Sequence, residues 1–115
     1  MTEQASSCLF CRIVAGEIPA DIVERGATWC VFRDVAPQAP EHLLVVPTRH
    51  VPNLSSYVDK DELAEVFTAA ARLGRRVGGE EGYRLVTNEG VGAGQSVMHL
   101  HVHVLAGRPL RWPPG

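Results

Sequence analysis

Between Asp59 and Gly79 the apolar residues Leu63, Val66, Phe67, Ala70, Leu73 and Val77 recur at three- and four-residue intervals. That spacing draws one apolar stripe along a helix. Asp59 is placed to cap its start, with Glu62 as the capping-box partner, and Gly78-Gly79 ends it. Elsewhere apolar residues come in short runs bounded by turn formers. "DIVERG" and "TWCVFRD" predict two strands around a turn at Arg25-Gly26. "HLLVVPTRH" predicts a buried strand ended by Pro47, and "YRLVTN" and "VMHLHVHVLA" predict two more. "CLFCRIVAGEIPAD" opens with one or two helical turns stopped by Gly16 and Pro19. "VAPQAPEH" with its two prolines and the glycine-rich "EGVGAGQS" are loops, and the tail "GRPLRWPPG" cannot extend a sheet. The order predicts an α+β fold, an antiparallel sheet of about five strands with the long helix on one face. At 115 residues, the chain is read as a single domain over 1–115.

Composition narrows the function classes. The chain is 45% hydrophobic and 21% charged, with a formal net charge of −2, which gives no support to a nucleic-acid or polyanion binder. The densest basic cluster, Arg72, Arg75 and Arg76, falls on the predicted helix and reads as a solvated face. No apolar run approaches the roughly 20 residues needed to cross a bilayer. "MTEQASSC" lacks the basic start and apolar run of a secretory signal, and three cysteines do not make a disulfide framework. A cytoplasmic location is expected.

The chemistry concentrates near the C-terminus. In the predicted last strand His99, His101 and His103 alternate with Leu100, Val102 and Val104. Alternate side chains on a strand point to opposite faces, so the aliphatic set suits the helix and the histidines line the open face. Solvent-facing polar positions do not call for three imidazoles in strict alternation. Two of them could grip one metal ion, but the outer pair lies roughly 13 Å apart along a strand, so one ion cannot use all three. Nucleophilic and acid–base work on an anion fits best, with staggered pKa values along the row. Gly90, Gly92 and Gly94, followed by Ser96, would cradle a phosphate just upstream. Cys8 and Cys11 form a Cys-x-x-Cys pair, open to a metal knuckle or two buried thiols, since the βαβ context that a redox motif needs is missing. Cys30 reads as core.

"HLHVHVL" resembles the signature of the histidine-triad (HIT) family of nucleotide hydrolases and transferases. "CLFCRIVAGEIPA", "FRDVAPQAPEHLLVVPTRH", "NEGVGAGQSV" and "WPPG" are similar to its Hint-like branch. The resemblance implies that His101 attacks the α-phosphorus of a purine nucleotide, forming a nucleotidyl-histidine that water cleaves. It implies that His103 contacts the phosphate and manages the leaving group's proton, and that His42 faces the triad from the neighbouring strand. Asn88, Gly94, Gln95 and Ser96 would hold phosphate and leaving-group atoms, and Asp34 the ribose hydroxyls. Leu9, Phe10, Ile13, Phe32, Val35 and Leu44 would form the slot for the base. Like many bacterial members, the chain would bind a structural zinc through Cys8, Cys11, His50 and His99, with no catalytic metal expected. A homodimer with one continuous sheet is implied, its tail bringing Trp112 toward the partner's site. The expected activity is hydrolysis of nucleoside phosphoramidates and aminoacyl-adenylate-like substrates. Dinucleoside polyphosphate hydrolysis, or a nucleotide-binding scaffold with incidental catalysis, are the alternatives. Met98, where relatives often carry an aromatic residue, and the details of "EGVGAG" depart from the commonest pattern.

Overall fold

The computed structural model describes residues 7–115; the first six residues, part of the stretch read for a secretory signal, lie outside the described residues. Helix α1 (Leu9–Val14) leads into strands β1 (Ile22–Arg25), β2 (Trp29–Arg33) and β3 (Glu41–Pro47). Helix α2 (Lys60–Gly78) follows, then β4 (Arg84–Val86) and β5 (Val102–Ala106). The strands form one antiparallel sheet in the order β1-β2-β3-β5-β4. No helix among the described residues is long and apolar enough to cross a membrane. The expected α+β architecture, with one long and one short helix, is the one observed.

Helix α2 lays its stripe on one face of the sheet. Val66, Ala69, Ala70 and Leu73 pack on Val31, Leu43, Val45, Val102 and Val104, with Phe67 and Val77 at the margin. Leu63 turns to a smaller cluster with Val51, Tyr57 and Leu100. Asp59 caps α2 by accepting the Glu62 amide at 3.0 Å, but only half of the expected capping box forms. The Glu62 carboxylate is taken by Arg49, at 2.6 and 3.1 Å, and by the Tyr57 hydroxyl at 3.1 Å. A bidentate guanidinium outcompetes a return bond to the helix's first amide.

The opposite face is covered as well, which corrects the expectation that the histidines line an open surface. Phe10 and Ile13 of α1 pack on Cys30, Phe32, Leu44 and Val46. The pattern of β3 carries the reason: "HLLVV" does not alternate, so apolar side chains emerge on both faces and both need cover. Cys30 is fully buried, as read.

The last strand is shorter than the ten residues the pattern suggested. Its ladder with β3 starts at Val45↔Val102, and residues 97–101 lie outside the sheet, bending over 97–99. The amide of Leu100 bonds the Val51 carbonyl, while the His99 side chain takes the Pro47 carbonyl at 2.9 Å. The in–out alternation survives the loss of the ladder. Leu100, Val102 and Val104 are buried toward α2, and the three histidines face α1. "YRLVTN" likewise contracts to three strand residues.

Candidate active site

A cavity of about 410 Å³ opens between α1 and the sheet. Its apolar wall is Leu9, Phe10, Ile13, Ile18, Phe32 and Leu44, and its polar edge is Asp34, Ser96, His101 and His103. All six residues expected to form the apolar slot line it, Val35 from an almost fully exposed position. Ile18, Pro19, Ala20 and Val97 also line it and were missed by sequence reasoning. Ile18 left a signal: a large apolar residue before a proline, in a segment with no strand or helix to bury it. Phe10 stands edge-on to Phe32 and His101, with ring centroids 5.3 and 5.1 Å away. It is at once roof of the core and wall of the cavity.

The backbone decides which ring nitrogens carry protons. His101 Nδ1 lies 2.8 Å from the His99 carbonyl oxygen, which can only accept, so Nδ1 carries the hydrogen. In the neutral ring the lone pair is then on Nε2. His42 is fixed in the opposite sense. The Gln38 amide donates to its Nδ1 at 3.0 Å, so the proton of the neutral His42 ring is on Nε2. That nitrogen lies 2.9 Å from His103 Nδ1 and 3.4 Å from an Asp34 oxygen. His42 Nε2–H therefore donates to His103 Nδ1, leaving the remaining proton of His103 on its Nε2. A bare nitrogen on His101 thus stands beside an N–H on His103, with ring centroids 5.0 Å apart.

Charge is held down on His42 and His103. Burial is the main cause that lowers the His42 pKa, opposed by Asp34. Burial, then the neighbouring His101 and His42, push His103 down to about 4. At pH 7 these two rings are neutral and carry no charge toward a negative ligand. They offer N–H dipoles instead.

The remaining polar candidates divide. Ser96 lies on the cavity edge. Asp34 spends one carboxylate oxygen on the Ala36 amide at 2.8 Å, an Asx turn, and turns the other toward His42. Asn88 is partly buried beside Gly94, which has φ +102°; a Cβ there would lie 3.5 Å from the Asn88 side-chain nitrogen. Gln95 is 2% exposed, and its amide is committed to the protein. It accepts from the Gly90 amide at 2.9 Å and donates to the Pro52 and Val97 carbonyls at 2.7 and 3.1 Å. Its side chain braces the glycine-rich loop rather than facing the cavity.

A second cluster lies at the far end of the row. Cys8, Cys11, His50 and His99 bring four ligand atoms within 4.8 Å of one another. The Cys8 sulfur is 3.3 Å from His99 Nδ1, and the Cys11 sulfur is 3.2 Å from His50 Nδ1 and 3.4 Å from His99 Nδ1. A tetrahedral zinc would set sulfur and nitrogen ligands about 3.5 Å apart, so the donor set and spacing fit that ion. His99 Nε2 donates to the Pro47 carbonyl, which fixes the ring and leaves Nδ1 bare toward the sulfurs. Burial, then the neighbouring Cys8, push the Cys11 thiol up to about 12.

Asp34, His42 and His103 also approach one another closely enough for a metal. The Gln38 amide argues against that use. A metal on His42 Nε2 would force the ring proton onto Nδ1, against an N–H donor already there.

The HIT domain family model matches residues 15–110. A HIT-like protein of Synechococcus elongatus is 44% identical over 109 residues, covering 93% of this chain and 96% of that one. A crystal structure of a HIT family hydrolase from Legionella pneumophila superposes with a TM-score of 0.90 at 45% identity, covering 95% of this chain and all of that one. A HIT family hydrolase from Clostridium thermocellum superposes at 0.86 with 34% identity, covering 96% of each chain.

Proposed function

The chain belongs to the HIT family, and from that premise we propose that it hydrolyses purine nucleoside 5′-phosphoramidates and aminoacyl-adenylate-like substrates. The observation that carries this reading is the complementary pair of tautomers, a bare nitrogen on His101 next to an N–H on His103 in one cavity. His101 Nε2 attacks the α-phosphorus of a substrate that carries a proton on its bridging nitrogen. As the P–N bond breaks the amine departs neutral, while the neutral His103 ring donates its Nε2–H hydrogen bond to the phosphoryl oxygens. The chain donors around Ser96, Gly94 and Asn88 hold the phosphoryl oxygens. Water then attacks the nucleotidyl-histidine, loses a proton to solvent and frees His101. Splitting one displacement in two lowers each barrier. The purine occupies the slot between Phe10, Ile13, Phe32 and Leu44, and Asp34 takes the ribose hydroxyls.

The charge distribution favours a single phosphate over a polyphosphate. Arg33 is the one Lys or Arg among the described lining residues, and its guanidinium faces Asp21 and Glu41 at 3.4 Å each. A chain of phosphates would find few cations there.

Cys8, Cys11, His50 and His99 would hold a zinc ion, a closed four-ligand set whose role is structural. The protein works as a cytoplasmic homodimer, and Trp112, 81% exposed in the single chain, docks on the partner. Turnover of an adenosine–lysine phosphoramidate beside diadenosine triphosphate tests the assignment. The phosphoramidate should be much the better substrate; a strong preference for the triphosphate would replace this reading with dinucleoside polyphosphate hydrolysis.

A further inference from the structure

The His42 tautomer depends on one backbone amide, and that amide belongs to an exposed loop residue, Gln38. The loop is braced from outside by the chain that leaves β5. Gly107 adopts φ +96°, and a Cβ on it would fall 2.8 Å from the Pro40 side chain, so the two segments lie in direct contact. The next residue, Arg108, donates from Nε and Nη2 to the Gln38 carbonyl oxygen at 3.2 and 2.9 Å. Its third nitrogen, Nη1, donates to the Pro109 carbonyl at 2.9 Å, which holds the guanidinium in place. Gln38 is thereby gripped at both ends of its own backbone, the N–H inward on His42 and the C=O outward on Arg108.

We propose that Arg108, outside the cavity, is a positioning residue: by clamping Gln38 it fixes the proton on His42 Nε2 and hence the N–H that His103 presents to the reacting phosphate. The second half of this statement rests on the phosphoramidate reading; the first half does not. Without the clamp the 36–40 loop keeps its internal bonds, Asp34 to Ala36 and Gln38 to Ala36, but the Gln38 peptide is free to turn. His42 then samples the other tautomer, in which Nδ1 carries the hydrogen and Nε2 has none to give His103.

Two readouts test it on the full chain. Two-bond proton–nitrogen correlation spectra of the histidine rings report which nitrogen of His42 is bare, and steady-state hydrolysis of an adenosine phosphoramidate reports the consequence. In the wild type His42 Nδ1 should be bare. Arg108→Ala should give a mixture of tautomers and lower kcat about two- to fivefold with KM little changed, the range an exposed charged contact supplies. Arg108→Lys, which keeps one donor for the carbonyl, should recover part of both. An unchanged His42 signature in Arg108→Ala would overturn the proposal. So would a mixed signature that Arg108→Lys does not move back. If the wild type turned over no phosphoramidate, the functional reading would fail while the ring spectra still decided the role of Arg108.

Discussion

Acid should weaken this fold through His103, with a sign opposite to that of a histidine that gains an anionic partner. Burial and the adjacent His101 and His42 push its pKa down to about 4, whereas in the unfolded chain the ring titrates near 6.5. Because the folded value is the lower one, the unfolded chain binds the extra proton. The contribution is complete above about pH 6.5 and is lost as the pH falls from there through about 4. That gap is worth on the order of 3 kcal/mol, a large share of the roughly 5–15 kcal/mol that holds a domain together. Urea unfolding from pH 7.5 to pH 4, for the wild type and His103→Gln, isolates the term. His99 also has a lowered value, and its slope is shared by both proteins. Relative to the variant, the wild type should therefore lose on the order of 3 kcal/mol across the window. Stability curves that stay parallel from pH 7.5 to pH 4 would refute the reasoning.

Two further outcomes are expected. Gln95→Leu leaves the Gly90 amide and the Pro52 and Val97 carbonyls without partners, at a cost of about 1–3 kcal/mol, seen as a lower Tm with a raised KM for nucleotide substrates. Zinc added to metal-free protein should raise Tm by linkage, and Cys11→Ala should abolish the rise; an equal rise in that variant would place the ion elsewhere.

Much of this was legible along the chain because it depends on periodicity. The stripe of α2 and the alternation of His99, His101 and His103 both follow from the geometry of a single element. What escaped depends on partners far away in sequence. The pattern of "VMHLHVHVLA" could not show that the ladder begins only at Val102, because that is decided by where β3 parts from it. The apolar run of β3 already implied that both faces need cover, but not that α1 supplies it. Gln95 was grouped with the ligand-facing residues through its neighbours in "GQS"; its burial is set by Pro52, 43 residues away. The tautomers left no trace in residue identities, since they are fixed by the Gln38 amide and the His99 carbonyl, groups that nearly every residue carries.

Rapid quenching of the protein during turnover of an adenosine phosphoramidate, followed by peptide mass mapping, tests the role of His101 most directly. An added nucleoside monophosphate on the peptide that carries His101, absent from His101→Ala together with turnover, is the expected result. A nucleotidyl group on any other side chain, or wild-type turnover by His101→Ala, would contradict it.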